Sequence, residues 1–255
     1  MRSRFSVVLL SACLAGPGWA AASRVDPAPA QTCPAIAGGS ESLAALPADA
    51  RLDFLRARLA RERSRAWDWS TGWKVTYGAL IVGQLALVPL LDEREHPDLY
   101  VGAATSAIGL ASLLVLPLPV LADQPALERR VALEEGQADR CALLAEAEDL
   151  VIRDAADAAF GRGWLIHAGN LLIAVGAGLV LWQGMDDWES GLTALVTNFA
   201  VGELMIWTQP SGLEDDLVRY RRAELGDAGS QDQLTWGLSP LVVPKGAGLT
   251  WTSRF

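Results

Sequence analysis

Residues 164–210 constrain the fold more than any other part of the chain: WLIHAGNLLIAVGAGLVLWQG, an acidic turn over residues 185–189, then SGLTALVTNFAVGELMIWTQP. Each apolar run is about 20 residues, the length a helix needs to cross the hydrocarbon core of a bilayer. So short a turn sends the second run back along the first, which predicts a transmembrane helical hairpin. Residues 73–119 follow the same plan. Gly72-Trp73, Gly78, Leu80 and Pro119 recur at a constant offset as Gly163-Trp164, Gly169, Leu171 and Pro210, and Trp69 falls on Phe160. The expected fold class is therefore an all-α membrane protein: two duplicated transmembrane helical hairpins (four spans), with extramembrane helices and a small C-terminal β-hairpin.

Composition agrees with that reading. A chain of 255 residues that is 51% hydrophobic and carries 10 Trp is too apolar for an ordinary soluble domain. The lipid bilayer is its expected partner. A net charge of -9 argues against nucleic acid, because phosphate binding needs a cationic surface. The N-terminus reads as a secretory signal peptide over residues 1–22: Arg2 and Arg4, an apolar core, Pro17, then Ala20-Ala21-Ala22 before the cleavage point. Leu10-Ser11-Ala12-Cys13 also resembles a lipoprotein signal box, which would leave an apolar core of only about 8 residues.

Residues 23–46, rich in Ala, Pro and Gly and holding Cys33, read as an irregular lead-in. Residues 47–122 read as a first helix followed by the first hairpin. In that helix Leu52, Leu55 and Leu59 recur at helical spacing, with Arg51, Arg56, Arg58, Arg61, Arg63 and Arg65 around them. Two readings of its basic face stay open: a solvated surface, or a helix lying on anionic lipid with Trp67, Trp69 and Trp73 at its membrane end. Ala103, Ala107 and Ala111 form a small-residue stripe suited to close backbone packing. Residues 123–163 read as a helical connector, with Leu127, Val131, Leu143, Leu144, Leu150 and Ile152 as its buried positions. The second hairpin, 164–210, is followed by a short helix over 211–232. The tail, 233–255, alternates apolar and polar residues around Pro244-Lys245-Gly246 as a β-hairpin does. Its final strand, ending on Phe255, is similar to the C-terminal signature of outer-membrane β-barrel proteins, but no other part of the chain has the repeated alternating segments of a barrel.

A cleaved signal places the chain in the bacterial inner membrane, multi-pass, with its N-terminal, middle and C-terminal segments periplasmic and the acidic turns cytoplasmic. The positive-inside rule points the other way, since the turns contain only Arg94. Export is preferred because the signal fixes the first translocation step. Cys33 and Cys141 are separated by an even number of spans, so they share a side, and in the periplasm they form a candidate disulfide.

Counting outward from the turn at Asp186-Asp187, Glu203 comes level with Asn170, and His167 lies one turn away on the same face. These three residues form a candidate intramembrane polar cluster, either as a functional ionisable site or as interhelical glue. The first unit has Ser112 and Ala79 at the positions matching Glu203 and Asn170. No catalytic, cofactor-binding or metal-binding motif is present: the two histidines, His96 and His167, lie far apart, and Gly176-Ala177-Gly178 sits inside an apolar run. The expected role is non-enzymatic, structural or partner-binding in the cell envelope, with a second copy of the chain or another envelope protein as partner. The alternative is a proton- or small-solute-coupled membrane protein using Glu203, His167 and Asn170.

Overall fold

The computed structural model describes residues 31–133 and 139–226, and the backbone of 235–243 and 246–254. The signal segment 1–22 with Cys13, the first part of the lead-in, and Pro244, Lys245 and Phe255 of the tail lie outside the described residues. Among the described residues eight α-helices follow one another: α1 (Glu41–Ala44), α2 (Ala48–Leu87), α3 (His96–Val115), α4 (Val120–Leu133), α5 (Arg140–Gly161), α6 (Trp164–Met185), α7 (Trp188–Trp207) and α8 (Gly212–Arg221). In the tail the backbone runs as strands β1 (Thr235–Val243) and β2 (Gly246–Arg254), antiparallel, with Thr235 opposite Arg254 and Val243 opposite Gly246.

Among the described residues four helical stretches are long and apolar enough to cross a membrane. Their apolar parts are the C-terminal half of α2, α3, α6 and α7, and large hydrophobic side chains such as Val82, Leu114, Val115 and Leu172 point outward from them. The links between these helices follow local chemistry. Pro97 opens α3, where its missing N–H costs nothing. Asp186 ends α6 in the left-handed region at φ 57°, which Asp tolerates better than most residues. The Asp187 carboxylate then caps α7 by accepting from the Ser190 N–H at 3.0 Å. Ser190 Oγ also donates to Asp98 at 2.9 Å and ties the two turn regions together.

Glycines set how closely these helices approach. The backbones of α6 and α7 meet at Gly178 and Gly191, where a Cβ on either would lie 2.7 Å from the other's carbonyl oxygen. On α3 the packing face is Gly102, Ser106, Gly109 and Leu113, with the Tyr77 ring seated on Gly109. This displaces the predicted alanine stripe. Ala103 is buried, but Ala107 and Ala111 are exposed, because Tyr77 and Gln84 of α2 fill the groove one residue to the side.

At the opposite end from the turns, the N-terminal half of α2 packs with α4, α5 and α8 around a second core of Leu52, Leu55, Leu59, Leu127, Leu143, Leu144, Val151, Leu213 and Leu217. The lead-in belongs to this core. Ser40 caps α1 by accepting from the Leu43 N–H, Leu43 is fully buried, and Thr32 bridges to Pro47. Cys33 is bonded to Cys141 at a Cα–Cα distance of 5.5 Å, which ties this stretch to α5.

The basic face of α2 also differs from both sequence readings. Arg51 is fully buried and Arg58 is 4% exposed. Arg51 donates to the Cys33 and Pro34 carbonyls, to Tyr220 and to Glu148, while Tyr220 in turn donates to Glu148. A guanidinium with five fixed donors can satisfy so many acceptors at once, which is what makes its burial tolerable. Arg58 pairs with Asp216 on α8, and Arg56 makes a two-pronged pair with Glu128 on α4. Arg51, Arg56 and Arg58 therefore cross-link α2 to α5, α4 and α8, while Arg61 stays exposed.

The first helix and the first span are one helix. Gly72-Trp73 lies inside α2 and Trp73 is buried, whereas the matching Gly163-Trp164 starts α6 after a break and Trp164 is 74% exposed. Trp69 donates to Thr208, while its counterpart Phe160 is exposed.

Candidate functional site

The ends of α6 and α7 nearest the extramembrane helices bring His167, Asn170 and Glu203 together. Asn170 Nδ2 donates to Glu203 Oε1 at 3.0 Å and to the Phe199 carbonyl at 3.0 Å. The His167 ring meets Glu203 Oε2 through Nδ1 at 2.7 Å, and Trp207 Nε1 donates to the same oxygen at 3.2 Å. Against a carboxylate acceptor Nδ1 carries the proton, so a neutral His167 ring presents Nε2 as an acceptor. Gly202 is what lets Asn170 in, because a side chain there would occupy the amide's position.

Both carboxylate oxygens are thus satisfied, and Glu203 is only 18% exposed. In this arrangement the desolvation of a charged group is offset by three donors drawn from two helices. Trp207 is the member that helical counting from the turn missed. Its signal was the spacing of four from Glu203, which puts both on one face of α7.

The cluster stands where the apolar helices α6 and α7 meet α5 and α8. Trp69 and Trp73 reach across from α2 to Thr208 at 3.2 and 3.1 Å, so a layer of indoles marks this level, as is usual where a chain passes from apolar to polar surroundings. A cavity of ≈290 Å³ opens beside His167 and Trp207.

Two further acidic groups lie in the core formed by α2, α4, α5 and α8. Glu62 accepts the Gly212 N–H at 3.1 Å and pairs with Arg65 at 3.3 Å, placing a carboxylate at the N-terminus of α8, where the helix dipole favours it. Burial raises its pKa despite Arg65 and the Gly212 N–H. Asp154 on α5 is 4% exposed, and neither of its carboxylate oxygens has a hydrogen-bond partner among the described residues. Among the described residues no group of three or more His, Cys, Asp or Glu is arranged to hold a metal ion.

Sequence reasoning placed Arg51 on a basic face without its burial and did not single out Glu148, Glu62 or Asp154, although each falls on or beside a buried helical stripe. In α2 that stripe runs Leu52, Leu55, Leu59, Glu62, Ala66, with Arg51 beside Leu52. In α5 it runs Leu143, Ala147, Leu150, Asp154, Ala158, with Glu148 and Val151 beside it.

No family model matches the chain, and neither a curated protein nor a solved structure matches it.

Proposed function

We propose that the chain is a non-enzymatic integral membrane protein of the bacterial cell envelope, with a structural or partner-binding role. The supporting observation is the division of its surface. One end offers outward-facing apolar helices, and the other carries a charge-laced helical unit with its own core, cross-linked by arginine and a disulfide. The full satisfaction of Glu203 within its own two helices favours interhelical glue over a reactive group. A second copy of the chain or another envelope protein is the partner class for the extramembrane unit, and the β1–β2 tail is a small cap or docking hairpin. Pro119 and Pro210, each closing a returning span just before a helix with a buried early residue, Val120 or Leu213, support a duplicated hairpin unit.

Glu203 also tests the alternative, a proton- or solute-coupled protein, which the cavity beside His167 favours. The readout is a deletion phenotype complemented by each variant at matched protein level. Glue predicts that Glu203→Gln complements, since such contacts are worth on average roughly 0.6 kcal/mol. Failure of Glu203→Gln in a protein that inserts and accumulates normally would establish the coupled reading instead.

The Cys33–Cys141 bond supports a periplasmic position for the extramembrane helices, because disulfides persist in oxidising compartments. Cells alkylated at harvest should yield a species whose gel mobility shifts on reduction, and Cys33→Ala should abolish the shift. Free thiols on both residues in such cells would reverse the orientation.

A further inference from the structure

The cavity of ≈290 Å³ at the meeting of α5, α6, α7 and α8 is lined by Ala159, Arg162, His167, Ile206, Trp207 and Glu214. Its size is at the lower end of ligand-binding cavities, and its wall is divided by chemistry. Arg162 supplies an exposed guanidinium. Opposite in charge is Glu214, whose Oε1 is enclosed without a hydrogen-bond partner among the described residues. With its Nδ1–H donated to Glu203, the neutral His167 ring presents Nε2 as its one acceptor. Ile206 and Trp207 form the apolar edge.

Position narrows the ligand further. Arg162 stands in the two-residue break between α5 and α6, and Glu214 lies in the first turn of α8, so both charges stand where the apolar helices end. Trp207 at the rim is 67% exposed, and the neighbouring Trp164 and Leu165 are 74% and 51% exposed, which continues the rim into outward apolar surface. In a bilayer this is the depth of the lipid headgroups.

We propose that this cavity holds the headgroup of a zwitterionic aminophospholipid. Arg162 takes the phosphate, the Glu214 carboxylate and the His167 ring accept N–H from the ammonium, and Trp207 and Ile206 lie along the glycerol and first acyl carbons. The pairing is complementary at both ends. Phosphatidylglycerol would satisfy Arg162 but bring no cation to Glu214, and the trimethylammonium of phosphatidylcholine has no N–H to donate. The proposal rests on the membrane-spanning reading of α6 and α7, and not on which role Glu203 has.

The test uses the full chain in a neutral detergent, titrated with phosphatidylethanolamine, phosphatidylglycerol or phosphatidylcholine, with bound lipid counted by native mass spectrometry. Phosphatidylethanolamine should be retained at about tenfold lower concentration than either of the others, the size of one charged hydrogen bond. Glu214→Gln and Arg162→Ala should each weaken its retention about tenfold, while Glu214→Gln leaves phosphatidylglycerol unchanged or tighter. If Glu214→Gln fails to fold, Arg162→Glu on the exposed side chain carries the test and should abolish the preference. Equal retention of the three lipids, or a preference that survives substitution at both positions, overturns the site. Displacement of the lipid by free O-phosphoethanolamine would identify a soluble ligand and overturn the lipid assignment. Flotation with vesicles but no lipid preference removes only this site, whereas failure to float with any vesicle removes the membrane reading beneath it.

Discussion

Asp154 should make the extramembrane helices less stable as pH rises, and Asp154→Asn should remove that dependence. The side chain lies on α5, which packs outside the apolar spans against α2, α4 and α8. It faces Asp123 of α4 and Asp157 of its own helix, with Arg153 as the opposing charge, and Glu62 shares its small cavity of ≈20 Å³. Desolvation by burial, reinforced by the charges of Asp123 and Asp157, pushes its pKa from 3.8 up to about 7. About three units at 1.36 kcal/mol each amounts to about 4 kcal/mol of differential proton binding. Below pH 3.8 both folded and unfolded chains hold the proton and the group costs nothing. Between 3.8 and about 7 the unfolded chain releases its proton first, so stability falls as pH rises; above 7 the whole cost is present. Asn keeps the size and polarity of the protonated acid and can donate to Asp123. The variant should therefore gain about 2 to 3 kcal/mol more over the parent at pH 8 than at pH 5. Thermal or denaturant unfolding of the purified protein in detergent at the two pH values measures this. An equal difference at both, or a parent more stable at pH 8 than its variant, would refute the argument.

Arg51→Ala should destabilise the extramembrane unit by about 3 to 5 kcal/mol, because it strands Glu148 in a core with only Tyr220 to hold it; denaturant unfolding followed by helical circular dichroism would register it. Glycine substitutions should sort by environment: Gly191→Ala drives a Cβ against the Gly178 carbonyl and should cost about 1 to 3 kcal/mol, whereas Gly169→Ala, with open space around it, should be neutral or stabilising by up to about 1 kcal/mol. Melting temperatures of the two variants in one detergent decide the comparison.

The four apolar helices were legible because burying a backbone in hydrocarbon demands long uninterrupted runs, and such runs leave little else to read. Depth along a helix was legible too, since a fixed rise per residue places Asn170 level with Glu203 once the turn at Asp186-Asp187 is found. Azimuth was harder. The choice between Ala103, Ala107, Ala111 and the adjacent Gly102, Ser106, Gly109, Leu113 depended on where Tyr77 and Gln84 project, which no pattern within α3 reveals. Charge was misjudged for a related reason. An arginine reads as solvated until its acceptors are known, and those of Arg51 come from residues 33, 34, 148 and 220. The cavity around Arg162 and Glu214 joins segments whose proximity exists only once α5 through α8 are packed.

Among the described helices, α2 alone contributes to the core it shares with α4, α5 and α8 and, within the same unbroken rod, to the cluster of Trp73, Tyr77 and Leu113. Forty residues at 1.5 Å each give a shaft about 60 Å long. The remaining connections between the two ends pass through breaks at residues 116–119, 162–163 and 208–211. Mechanically the arrangement is a mast with articulated stays. A tilt of about 10° in the apolar half of the shaft carries its other end, about 30 Å away, sideways by about 5 Å. The core built on Leu52, Leu55 and Leu59 is carried on the same rod, so in a bilayer a change of thickness that tilts the shaft would reorient that end of the molecule.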